Sequence, residues 1–66
     1  MRMPKVGSSV HYVNRVTGRH QEATVLAAST NAVTYVCTLR LENGITRRDV
    51  LYSERPAAGT WHQKED

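Results

Sequence analysis

The chain has 66 residues, a formal net charge of +3 and one cysteine. That length makes a single domain whose folding hides only about 60% of the unfolded surface, so an enclosed catalytic pocket is hard to build. A lone cysteine excludes a disulfide scaffold, and no apolar run is long enough for a membrane span or a signal peptide, which reads as a cytoplasmic protein with no membrane partner.

Taken in order, residues 5–9 (KVGSS) are turn chemistry, and residues 10–13 (VHYV) alternate as a short strand. Val10 and Tyr12 share one face of it, His11 and Val13 the other. Residues 14–21 (NRVTGRHQ) are polar, contain Gly18 and carry Arg15, Arg19 and His20, which predicts a long exposed loop between strands. In residues 22–28 (EATVLAA), Ala23, Val25 and Ala27 alternate with Thr24, Leu26 and Ala28. The run is too short for a stable helix and predicts a second, strongly bent strand that turns at Ser29-Thr30-Asn31.

The strongest signal follows. Val33, Tyr35, Cys37, Leu39 and Leu41 fall on one side of an extended run, while Thr34, Val36, Thr38, Arg40 and Glu42 fall on the other. β-Branched residues suit that pleated surface. Asn43-Gly44 then predicts a type I′ hairpin turn, because both residues tolerate positive φ. Residues 45–47 form the return strand, Arg48-Asp49 a brief turn or 3₁₀ step, and residues 50–52 a last short strand. Pro56 and Gly59 break residues 53–60 into coil. Trp61 is expected to fold back over an open end of the barrel near Tyr35 or Tyr52, its indole N–H reaching a carbonyl. The sum is an all-β fold: a small five-stranded SH3-like antiparallel barrel over residues 1–62, with an irregular C-terminal tail at 63–66 that frays.

Two blocks, Val10-His11-Tyr12-Val13 and Gly59-Thr60-Trp61-His62, resemble a group of small proteins encoded by actinobacteria and their bacteriophages, in which a VHYV strand opens the chain and a GTWHWPE-like tail closes it. Here Gln63-Lys64 stands where that group has Trp-Pro. The resemblance implies a phage- or prophage-encoded protein, at work in the host cytoplasm or carried with the virion, and implies no particular activity. In strand order the chain is more distantly similar to SH3-like modules of the Tudor and KOW type, which bind nucleic acid or protein tails.

For function, no H-x₃-H, C-x-x-C or nucleophile–base grouping occurs, so no catalytic residue, cofactor or metal site is expected. A three-histidine zinc site of His11, His20 and His62 ranks far below ordinary surface histidines, because a loop separates His11 from His20 and His62 lies near a fraying end. Cys37 reads as an inert core thiol. The arginines carry more weight. Arg15 and Arg19 lie in the first loop, and Arg40, Arg47 and Arg48 on or beside the hairpin, where Arg40 and Arg47 are expected to stand close across the pair. With Tyr12 and Tyr52 at the barrel rim, guanidinium groups could neutralise phosphates while rings stack on bases. The leading expectation is a non-enzymatic module that docks on a protein partner through its first loop, His20 included, and one barrel face. The alternative is a nucleic-acid-binding barrel that uses the arginines. A third reading is self-assembly into a homo-oligomer through strand edges. The plain alternative to all of these is a solvated surface of mixed charge, in which Glu42, Asp49 and Glu54 interleave with the arginines.

Overall fold

Alternating apolar and polar side chains lay down β1 (Ser9–Val13), β2 (His20–Thr30), β3 (Tyr35–Leu41), β4 (Thr46–Leu51) and β5 (Trp61–His62). The structure, a computed structural model, describes residues 3–31, 34–55 and 57–63. Val33 and the end of the expected frayed tail lie outside the described residues. Among the described residues there is no helix, and so none long and apolar enough to cross a membrane.

The strands form one sheet in the order β4-β3-β2-β1-β5, and every neighbouring pair is antiparallel. β2 makes the sheet curl, because it pairs with β1 through residues 20–24 and with β3 through residues 23–30. Its register shifts between Val25 and Ala27, which leaves Leu26 as an extra residue. Such a bulge bends and twists the strand. Beyond the bulge the inward face changes parity: Ala28 packs on the core while Ala27 is exposed, the reverse of simple alternation. The curl brings the two edges together at one end. There Tyr52 bridges Trp61 in parallel, and Ser53 N–H donates to the Trp61 carbonyl at 2.9 Å. The result is a curled half-barrel of the SH3-like kind.

Inside lie Val10, Tyr12, Ala23, Val25, Cys37, Leu39, Leu41, Val50 and Trp61, with no buried polar or charged residue among those described. Trp61 is 0% exposed and meets the Tyr52 ring edge-on at 5.0 Å. Burying an indole contributes roughly 4–6 kcal/mol at about 25 cal/mol per Å². Its N–H finds no carbonyl: Nε1 is buried without a hydrogen-bond partner. That omission costs about 1–3 kcal/mol, so packing outweighs it.

The hairpin differs from a type I′ turn. Leu41 N–H donates to the Ile45 carbonyl at 2.8 Å and Gly44 N–H to the Leu41 carbonyl at 2.9 Å. Gly44 alone in the turn has positive φ, at 88°. Glu42, Asn43 and Gly44 therefore make a three-residue loop, a turn closed by a left-handed glycine. The extra loop residue resets the register to Arg40↔Thr46 and Leu39↔Arg47. A slip of one residue turns side chains to opposite faces, so Arg40 and Arg47 do not stand across from each other.

Nor does the chain turn at Arg48-Asp49. β4 runs through that pair as one strand, and the fifth strand is β5, formed where only a returning tryptophan was expected.

Candidate anion-binding groove

Two separate pieces of chain bring arginines to the end of the half-barrel that the Tyr52–Trp61 bridge leaves open. The first is the β1–β2 loop. The Asn14 side-chain oxygen accepts from Val16 N–H at 2.8 Å and Thr17 N–H at 3.0 Å. Gly18 N–H returns to the Asn14 carbonyl, and Asn14 N–H closes the loop on the Arg19 carbonyl, each at 2.9 Å. Arg15 is thereby held in a fixed turn, and its stem lies against Gly59, where a Cβ would come within 2.8 Å of Arg15 Cγ. Gly59 itself is pinned to the end of β1 by its N–H to the Val13 carbonyl at 2.8 Å.

The second piece is a bulge in β4. Leu39 pairs with Arg47 and Cys37 with Val50, so Arg48 and Asp49 together oppose Thr38. Asp49 takes φ 55°, the only described non-glycine residue with positive φ. The cause is burial: Val50, 5% exposed, has to face the core across from Cys37, and an unbulged strand would turn it outward. The consequence is that Arg47, Arg48 and Asp49 are all presented at the strand edge.

Together these segments line a groove of about 260 Å³ with Tyr12, Arg15, Thr46, Arg47, Arg48, Asp49, Val50 and Gly59. Three arginines and one aspartate are among the lining residues. Among the described residues, no acid lies within ion-pair distance of Arg15, Arg47 or Arg48. Guanidinium groups present paired N–H donors that match phosphate and carboxylate oxygens, so this convergence of like charge favours an anion.

The other expected residues fall elsewhere. Arg40 lies on the outer face in a depression of about 410 Å³ with Glu22, Thr24, Leu41 and Glu42, where two acids oppose it. Arg19 is exposed at the end of the loop and does not line the groove. Tyr12, expected at the rim, is 2% exposed and forms part of the groove floor. Tyr52 is half-buried against Trp61. Tyr12 thus has no face to offer a stacked base, and Tyr52 little of one.

His20 opens β2 instead of lying in the loop, and on the outer face it approaches His62, which in turn meets His11. Sequence spacing gave no sign of this meeting, because it depends on β5 pairing with β1. Cys37 is 1% exposed, and burial pushes its thiol from 9.0 up to about 11, as suits a core residue.

No family model matches the chain, and neither does any curated protein or solved structure.

Proposed function

We propose that the protein is a non-enzymatic binding module that takes a nucleic-acid backbone along the arginine-lined groove. The observation that carries this is the convergence of Arg15, Arg47 and Arg48 from distant parts of the chain on one open groove. Phosphate oxygens match guanidinium geometry, and each neutralised phosphate releases condensed counterions. The burial of Tyr12 and the packing of Tyr52 favour contact with the backbone over stacking on bases, and so little sequence preference.

The test is a titration of labelled 20-mer duplex DNA, with matching single-stranded DNA and RNA, at 50 and 200 mM salt. Three phosphate contacts give a slope of about −2.7 in log K against log salt, a loss of about 40-fold across that range for the duplex. Arg47→Ala should flatten the slope by about 0.9, and Arg40→Ala should leave it unchanged. No binding at 50 mM, or equal effects of the two substitutions, would reject the reading.

Val16 is 90% exposed beside Arg15 at the loop tip. That favours a second reading, a protein partner with an apolar contact beside an acidic segment. Such binding would show a modest salt dependence, shallower than that of three phosphate contacts, and would be lost in Val16→Ser.

A further inference from the structure

The outer face of the sheet carries a grouping that the groove does not use. His11 on β1 lies directly opposite His62 on β5, and Val13, two residues along, lies opposite His20 on β2. Directly paired residues project to the same face, so imidazoles from three strands converge there. Ring centroids are 5.5 Å apart for His11–His62 and 5.1 Å for His20–His62, both edge-on. One nitrogen from each of the three rings lies within 4.8 Å of the others. Val13 is only 4% exposed yet does not belong to the core cluster. It sits on the outer side of β1, between the strands that bear His20 and His62, and gives the cluster an apolar floor.

We propose that His11, His20 and His62 form a binding site for a divalent transition-metal ion of the zinc class. Neutral imidazole nitrogen suits zinc, copper and nickel, and three such ligands leave a further position for solvent. Zn–N bonds of about 2.0–2.1 Å at tetrahedral angles set ligand nitrogens about 3.3 Å apart. The present spread of at most 4.8 Å exceeds that spacing by no more than about 1.5 Å, a distance within the reach of side-chain rotation. The three ligands stand on hydrogen-bonded strands, so the backbone is already in place when the ion arrives. Glu22 occupies the position opposite His11 on the same face, where a carboxylate can orient an imidazole N–H. The chain's one thiol, Cys37, is buried in the core and takes no part, and the grouping itself is all-imidazole.

The test uses the untagged full chain stripped with EDTA and titrated with Co²⁺, read by its visible ligand-field bands, then with Zn²⁺ as competitor. The expected result is one Co²⁺ per chain, displaced by Zn²⁺, and a Tm that rises with zinc concentration. His20→Gln alters an exposed ring away from the core and His11→Gln a second ligand. Each should weaken binding by more than about 100-fold, beyond the 10–100-fold typical of losing a supporting partner. Metal-free Tm values near that of the parent chain would show that both variants fold. Absence of the cobalt bands, or binding unchanged in both variants, would overturn the proposal.

Discussion

Gly59→Ala should injure stability and the groove together, whereas Gly44→Ala should injure stability alone. Both glycines hold left-handed backbone, at φ 81° and 88°. A side chain in that region costs about 1–2 kcal/mol at either position. The surroundings differ. An added Cβ at Gly44 meets nothing within 4 Å, whereas at Gly59 it comes 2.8 Å from Arg15 Cγ and 3.1 Å from Cδ. Carbon atoms sit comfortably at about 3.5–4.0 Å, so the Arg15 stem has to lift away or leave its rotamer, at a further cost of about 0.5–1.5 kcal/mol. Each kcal/mol lowers Tm by about 4–8 °C in a domain of this size. Thermal unfolding followed by Trp61 fluorescence compares the two variants, and the DNA titration at two salt concentrations reports the groove. Gly59→Ala should be the less stable and should lose about 0.9 from the salt slope, because Arg15 no longer reaches the phosphate. If the two variants lose equal stability and keep the parent slope, Arg15 is not held by Gly59 and the construction of the groove is wrong.

The β4 bulge and the core thiol make further predictions. Asp49→Gly fits φ 55° without strain and removes the one carboxylate of the groove, so stability should stay within about 1 kcal/mol while DNA binds more tightly. Asp49→Val puts a β-branched side chain at the same φ and should cost about 1–2 kcal/mol by urea unfolding. Cys37 has its thiol raised from 9.0 to about 11 by burial, so between those values the unfolded chain gives up a proton that the folded chain keeps. Stability should therefore fall as pH rises from about 9 to 11, by up to a few kcal/mol, and Cys37→Ala should flatten that part of the urea-midpoint profile.

How far residues alone reveal this molecule depends on how local each determinant is. Alternation over residues 10–13 and 35–41 gave the inward faces of β1 and β3, because period-two burial is written directly in the side chains. The hairpin was legible but its register was not. Asn43-Gly44 suits a two-residue loop or the end of a three-residue one, and that difference decides whether Arg40 faces Arg47 or Thr46. What chooses is distant: Val50 has to bury against Cys37. β5 is only two residues long, too short to carry any period, and its hydrogen bonds come from β1 far back in the chain. The histidine cluster follows from that pairing and was hidden for the same reason.

The two edges of the sheet explain why the groove lies where it does. β5 pairs only with His11 and Tyr12, so at the Val13 end the neighbour of β1 is the backbone of Gly59 and Thr60. The exit of β4 reaches Trp61 and closes the seam there, while the start of β4 is left as an edge. An open edge is a template for another strand unless charge or a bulge spoils it. Arg47, Arg48 and the Asp49 bulge supply both. This counts against self-assembly through that edge, and it gives the charged residues one address: the side chains that guard the unpaired strand also line the groove, at the seam the sheet leaves unclosed.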